Sequence, residues 1–505
     1  MMRSWRWLPC EVSHRDTENT ESLQLRSAQQ KTDMTTIANL KRSIGLKQHY
    51  VGLCQNPEQI AGKIVLMRKV LNTFAASFNA QDRREVHVHF VPGRVEFLGK
   101  HTDYAGGHSI VMAVDRGFFA ISARNGTNAV RMAECDNDSG VFPSAAFGVS
   151  PRLEHAPGDW TNYPKTMVQR IALNFARSAK LEGVDIAFGC DLPVGGGMSG
   201  SSALMIMTYL ALAGANHLQD SKKYQRNIRD GLDLATYLAC CENGQTFREL
   251  TGHKGVGTFG GSEDHTEILN GKRGMLSVFQ FCPTVHKADL AWRDNCALAI
   301  CYSGVRAEKT RAAMADYNQA SERARLVVAA YNRQYTTNDS LMREIIDENP
   351  ARGLPHLLDR VAFATRKSLT EDDLPGRFRQ FYVEDREIIP KTAAAWIRAD
   401  CCSLGRLVDL SHRNSKKYLR NIVPEIHFLQ RSARRLGALA SSGFGAGFGG
   451  SVYALMQKDG AADFLRQWKE TYTGKFPQPA AESEFLLTTP AGCAQEMFVD
   501  GMVHP

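Results

Sequence analysis

The sequence predicts an α+β protein built as two lobes. Three observations carry that prediction. The first half is rich in short alternating runs that read as strands, bounded by glycine and proline. From Glu308 to Lys416 the pattern turns helical, with breaks at Pro350, Pro355 and Pro375, and the two regimes meet near 285–295. Glycine, finally, is clustered: 18 of the 42 fall in windows 93–107, 195–200, 252–261 and 443–450, which together span 39 residues. Glycine packed in this way marks backbone that approaches something closely.

The elements follow in chain order. Residues 1–33 mix Arg with Glu11, Asp16, Glu18, Glu21 and Asp33 and contain no apolar core, so neither a signal peptide nor a transit peptide fits. Residues 1–50 are therefore expected to form a polar, mobile N-terminal extension. Residues 86–90 alternate as a strand, ended by Pro92-Gly93. Two β-rich runs, 108–114 and 117–123, follow the Gly106-Gly107 turn. Residues 160–179 have helical spacing, and 184–188 reads as a strand that feeds a glycine-rich loop and a helix from about Ser201. A helix at 232–241 and strands at 275–281 and 297–302 come next. Beyond the helical region lie a helix at 424–436, a strand at 451–456 and a helix at 461–472. The expected division is an N-terminal lobe over 51–290 and a C-terminal lobe over 291–505.

Composition narrows the function. The chain has 505 residues, 43% of them hydrophobic and 23% charged, which excludes a disordered chain or a small disulfide scaffold. The net charge of +8 is mild, and no run of five Lys or Arg occurs, so nucleic acid is not an expected partner. Twelve cysteines without a CxxC pair argue for reduced thiols, a cytoplasmic location and no zinc site. The longest uncharged stretch, 192–219, has an apolar part of only 203–215, too short to cross a bilayer.

Four motifs carry the chemistry. Pro193-Val-Gly-Gly-Gly-Met-Ser-Gly-Ser-Ser202 sits between a strand and a helix, where backbone N–H groups and a helix N-terminus can cradle phosphate. A serine hydroxyl there can also ligate Mg²⁺. It is not a Walker loop, because no GxxxxGK[ST] is present. Pro92-Gly-Arg-Val-Glu-Phe-Leu-Gly-Lys-His-Thr-Asp-Tyr-Ala-Gly-Gly107 places Arg94, Glu96, Lys100, His101 and Asp103 on one short turn. Asp and His can pair with vicinal sugar hydroxyls, and Arg94 can stabilise a phosphoryl group in transfer. Gly255-Val-Gly-Thr-Phe-Gly-Gly-Ser-Glu-Asp-His265 presents Asp264 as a general base, a metal ligand or a helix N-cap. Ser442-Gly-Phe-Gly-Ala-Gly-Phe-Gly-Gly-Ser451 reads as a close-packed turn against a ligand or another loop.

Taken together and in this order, the four motifs resemble the GHMP small-molecule kinase superfamily, and within it the galactokinase branch. Trp160-Thr-Asn-Tyr163, Asp316-Tyr317-Asn318 and Pro424-Glu425 add weaker likenesses, and the resemblance covers about 85–460. It implies a ribosomal-S5-like N-terminal lobe and a ferredoxin-like C-terminal lobe. It implies transfer of the γ-phosphoryl group of ATP to the anomeric hydroxyl of a galactose-like sugar, with Mg²⁺. In that reading Asp264 is the base and Arg94 positions and stabilises beside it. Gly195, Gly196, Gly197, Met198, Ser199, Gly200, Ser201 and Ser202 wrap the phosphates, with Ser201 and Glu242 at the metal and Glu249 as the rival to Glu242. Lys100, His101, Asp103 and Tyr317 would hold the sugar. The expected partners are the sugar and ATP, with no nucleic acid or membrane, in a monomer or small homo-oligomer. Kept beside it are a non-catalytic sugar sensor of the same fold and a GHMP kinase for a non-sugar alcohol.

The chain departs from the family pattern at four places. Ser-Gly-Ser-Ser replaces Ser-Ser-Ser-Ala, Glu263-Asp264-His265 replaces Met-Asp-Gln, Ser451 replaces a Cys, and Lys100 replaces the Glu of GEHTDY. In the family that Glu accepts from the hydroxyl on C6, whereas Lys can only donate. The inversion points to a substrate altered at C6, a uronic acid or a pentose, unless Lys100 turns outward or pairs with Glu96 or Glu263.

Overall fold

A computed structural model describes residues 34–54, 56–135, 144–307, 311–366 and 373–498, with the side chains of 311–317 left out. Two sheets organise them. The larger runs, in spatial order, Thr35–Thr36, Glu85–Leu98, His108–Arg124, Val184–Cys190, Ala129–Glu134 and Ala145–Gly148. Gln495–Glu496 adds to Glu85–Leu98, and Met275–Gln280 with Val285–Ala291 extends from His108–Arg124. Among the described residues only Ala129–Glu134 with Val184–Cys190 is a parallel pair. The smaller sheet is antiparallel, ordered Ala440–Phe444, Ser451–Gln457, Cys296–Tyr302, Glu484–Thr488.

Helices cover both faces of the larger sheet. Asn162–Phe175, Gly200–Asn216 and Gly231–Asn243 close a core that includes Met112, Phe118, Phe188, Met205 and Leu212. That core continues into the smaller sheet through Leu298, Ile300, Tyr453 and Leu455, so the two sheets share buried apolar surface. Pro57–Ser77 covers the opposite face, its Phe74 buried in one cluster with Phe90 and Phe119 of the sheet. Pro424–Arg435 and Ala461–Lys475 cover the smaller sheet around Trp468. Four further helices, Arg311–Tyr335, Met342–Asp347, Leu354–Thr365 and Leu374–Val383, bury Val327, Tyr331, Leu357 and Phe378 together with Ala105. Pro355 and Pro375 open the last two of these, where a missing N–H is tolerated. Among the described residues no helix is long and apolar enough to cross a membrane.

Two expectations need correction. The strand expected to end at Pro92-Gly93 runs on to Leu98. Its register shifts between Pro92 and Arg94, and Gly117 lies opposite, where a Cβ would stand 2.1 Å from the Val91 carbonyl oxygen. The proline is accommodated by this irregularity rather than by a stop. The second correction concerns the N-terminal extension. Residues 1–33 lie outside the described residues, but Thr35 and Thr36 pair with Val86 and Glu85, and Ile37, Leu40, Ile44 and Tyr50 are buried in the core under Pro57–Ser77. The amphipathic spacing of that segment was too short to stand out from a polar tail.

Candidate active site

A cavity of about 370 Å³ opens where the four glycine turns converge. Its floor is the 193–202 loop between the strand Val184–Cys190 and the helix Gly200–Asn216. Gly195 (φ 70°), Gly197 (φ 73°) and Ser199 (φ 58°) all adopt left-handed backbone, the geometry that turns successive N–H groups to one side. The Ser199 hydroxyl lines the cavity, is buried and has no hydrogen-bond partner among the described residues. The 443–451 turn packs directly beneath. Ser451 Oγ donates to the Gly196 carbonyl at 2.6 Å, and a Cβ on Gly445 would stand 2.6 Å from the Gly197 oxygen.

Arg94 joins this loop to the acid. Its Nε and Nη2 both hold Asp264 Oδ1, at 2.8 and 2.6 Å, while Nη1 donates to the Gly197 carbonyl at 2.7 Å. Arg94 is 4% exposed, fixed by the irregular strand that the Pro92-Gly93 step creates. Asp264 lies in the first turn of the helix Glu263–Asn270, whose N-cap is Ser262, so Asp264 is not the cap. The helix N-terminus complements its charge. Asp264 Oδ2 faces Ser202 Oγ at 3.5 Å, and the same hydroxyl donates to Glu242 Oε2 at 3.0 Å. His265 Nε2 stands 3.4 Å from that Glu242 oxygen.

Asp103 ties the 92–107 turn to the base segment. It accepts from the backbone N–H of Tyr104 at 2.8 Å and of Glu263 at 3.3 Å. Burial pushes its carboxyl up to about 6. The ionised form holds the Glu263 N–H, and protonation as pH falls through about 6 removes accepting capacity there. Turnover is therefore expected to decline on that acid limb in a kcat/KM profile, and Asp103→Asn, which cannot titrate, should lack the inflection. Gly261 leaves no room beside this contact: a Cβ would lie 2.2 Å from Asp103 Oδ2. Gly261→Ala should displace the base segment and cost about 10²-fold in kcat/KM, read by steady-state kinetics.

His101 has its Nδ1 3.0 Å from the Tyr104 hydroxyl and its Nε2 3.2 Å from the Ala446 carbonyl. The carbonyl requires Nε2–H, so Nδ1 accepts. Burial and Arg377 pull the ring down to about 4, which keeps it neutral. His101 thus lines the cavity as a brace between two glycine turns.

Comparison with known proteins points to one family. A galactokinase galactose-binding signature matches residues 72–124, the N-terminal domain of GHMP kinases matches 162–243, and their C-terminal domain matches 398–474. Galactokinase of Lactiplantibacillus plantarum is 25% identical over 395 residues, covering 78% of this chain and 91% of its own. Galactokinase of Bacillus subtilis is 26% identical over 409 residues, covering 80% and 92%. These matches support a galactokinase-like kinase of the GHMP type. The crystal structure of Lactococcus lactis galactokinase complexed with galactose shares the fold, with a TM-score of 0.68 at 19% identity over 85% of this chain and 99% of that one.

In this galactokinase-like site Arg94, His101, Asp103, Asp264, Glu242 and the whole of Gly195 to Ser202 line one cavity. Lys100 does not. Its side chain is 2% exposed and turns to the protein interior, with the ammonium 3.7 Å from Glu96 Oε1. The backbone explains the turn: Gly99 (φ 114°) and His101 (φ 56°) flank it in left-handed conformation, so strand alternation does not carry across. Glu249 is excluded from the cavity as well; it pairs with Arg226 on the surface, 56% exposed, while Glu242 faces the loop. Tyr317 lies on the helix Arg311–Tyr335, in the stretch whose side chains fall outside the described residues. Its neighbour Asn318 accepts from Phe259 N–H and donates to the Gly257 carbonyl, both at 2.9 Å, and so grips the base turn.

Sequence reasoning missed three contributors. Arg306 lines the cavity beside Gly195 and carries no motif. Arg377, fully buried, donates to the His101 carbonyl at 2.7 Å from a helix almost 280 residues away in sequence. Asn243 exchanges hydrogen bonds with Gly260 at 2.8 and 3.0 Å and fixes the wall next to Asp264.

Proposed function

We propose that this kinase transfers the γ-phosphoryl group of ATP to the anomeric hydroxyl of galactose or a close neutral relative. The observation that carries the reading is Arg94, which grips the candidate base Asp264 and the phosphate-loop carbonyl of Gly197 with one guanidinium. Holding base and cradle in one frame is what phosphoryl transfer demands, since its catalysis is positioning and charge stabilisation.

The roles follow from the geometry. The 195–202 backbone and the Ser199 hydroxyl receive the phosphates. With Oδ1 held by Arg94, Asp264 takes the anomeric proton on Oδ2, the oxygen turned toward Ser202 and the loop. Arg94 remains in place to stabilise the charge that develops on the transferring group. Asp103 accepts from sugar hydroxyls, braced by Tyr104 and Glu263. Among the described residues no cluster of three or more His, Cys, Asp or Glu could hold a metal alone. A carboxylate and two hydroxyls beside a phosphate cradle are instead the sparse oxygen set that suits Mg²⁺ shared with nucleotide. Glu242, Ser201 and Ser202 would hold it, and the ion would supply charge neutralisation on the phosphates.

The substrate is expected to be uncharged at C6. Lys100, the residue that would favour a uronic acid, lies buried 3.7 Å from Glu96 and does not line the cavity. A cytoplasmic location agrees with the cysteines, which are free among the described residues. The test is ADP release with galactose, arabinose, galacturonate, glucuronate, mevalonate and homoserine. Galactose or arabinose should lead. A clear lead for mevalonate or homoserine would overturn the sugar assignment.

A further inference from the structure

The carboxyls around the base differ in how they are satisfied. Asp264 is held by Arg94, Asp103 accepts two backbone N–H groups, and Glu263 Oε2 accepts from Ser109 Oγ. Glu96 is the exception. It is 5% exposed and lines the cavity, yet among the described residues neither of its oxygens accepts a hydrogen bond, and Oε1 is the one buried against Lys100. Its ion partner Lys100 stands behind it at 3.7 Å, beyond hydrogen-bond reach, and the Lys100 ammonium also lacks an acceptor within that reach. A buried carboxylate without donors is costly, and an occupant of the cavity that supplies one relieves the cost.

We propose that Glu96 is a specificity-determining residue of the sugar subsite, backed by Lys100: it accepts a hydrogen bond from a hydroxyl or ammonium of the sugar and repels a sugar carboxylate. This rests on the sugar-kinase reading above. Arg94, Lys100, Glu263, Asp264 and Glu384 are the charged or titratable groups around Glu96. Arg94 is already committed to Asp264 and Gly197, and Lys100 is buried and does not line the cavity. An incoming anion therefore meets acids and no uncommitted cation at this end. An amino group meets a carboxylate in want of donors. Lys100 acts here as a positioning residue, holding the charge of Glu96 from the side away from the sugar.

The test is equilibrium binding of galactose, 6-amino-6-deoxygalactose and galacturonate to the full chain loaded with a non-hydrolysable ATP analogue, alongside steady-state kinetics. The wild type should bind 6-amino-6-deoxygalactose at least as well as galactose, and galacturonate at least about 100-fold more weakly, the scale of one buried like-charge contact. Glu96→Leu should raise the sugar Kd and KM by about 10–100-fold, the worth of a hydrogen bond to a charged group, with analogue binding unchanged. The isosteric Glu96→Gln guards against misfolding and should narrow the galactose–galacturonate gap by about tenfold. Lys100→Arg should keep the wild-type order and Lys100→Met should erode it. Galacturonate binding equal to galactose, or sugar binding unmoved in both Glu96 variants, would overturn the proposal. If the analogue binds and no hexose does, the sugar-kinase reading itself fails and the proposal falls with it.

Discussion

Asp264→Asn should lower kcat for sugar phosphorylation by about 10²–10⁴-fold, the range for loss of a general base, while nucleotide and sugar still bind. The substitution keeps the shape of the side chain and its ability to accept from Arg94, so the frame that holds the 193–202 loop survives. What is lost is the charge that takes the anomeric proton. The helix Glu263–Asn270 is anchored separately, by Asp103 on the Glu263 N–H and by Glu267 Oε1, which accepts from the Ala113 N–H at 2.8 Å. A fall in kcat with unchanged Kd for an ATP analogue and for galactose is the expected signature. Equal losses in binding would mean that Asp264 is structural.

Arg94→Met is the companion, with an expected loss of about 10²–10³-fold in kcat, the scale for removing one preorganised electrostatic contact to the transition state. Its cost has two parts. The Gly197 carbonyl loses its 2.7 Å donor, which loosens the phosphate loop, and Asp264 Oδ1 loses both of its guanidinium contacts. Nucleotide affinity should weaken here, unlike in Asp264→Asn. Because the two residues act as one unit, the double variant should lose far less than the product of the single losses. Independent, multiplying losses in that cycle would contradict the shared frame.

Much of this site was legible in the chain itself, and the reason is local. Phosphate loops, glycine turns and their attached Asp and Arg are short-range devices, so Gly195 to Ser202, Arg94, Asp103 and Asp264 could be placed by motif and order. The residues that escaped depend on backbone direction or distant packing. Lys100 sits in the 92–107 motif, but left-handed backbone at Gly99 and His101 turns it inward, which spacing cannot reveal. Glu242 and Glu249 could not be separated in sequence, because the intervening turn folds Glu249 out to Arg226. Arg377 and Arg306 enter from the second half through tertiary packing alone. In the fold, one long strand reads as such only over 86–90 because Pro92-Gly93 looks like a stop, and its partner reads as two runs, 108–114 and 117–123, whereas Pro92 pairs with Gly117 next to a register shift and both strands continue past it. The short strand Thr35–Thr36 and the pair Gln495–Glu496 gain their structure only from the edge of the strand they join.

Product identity tests the central claim most directly. The full chain, incubated with ATP, Mg²⁺ and galactose, should yield ADP and sugar phosphate in equal amounts, with phosphorus–proton correlation in the NMR spectrum placing the phosphate on C1. Asp264→Asn should form both about 10²–10⁴-fold more slowly. Phosphate on another carbon, or ADP release that does not depend on sugar, would contradict the account.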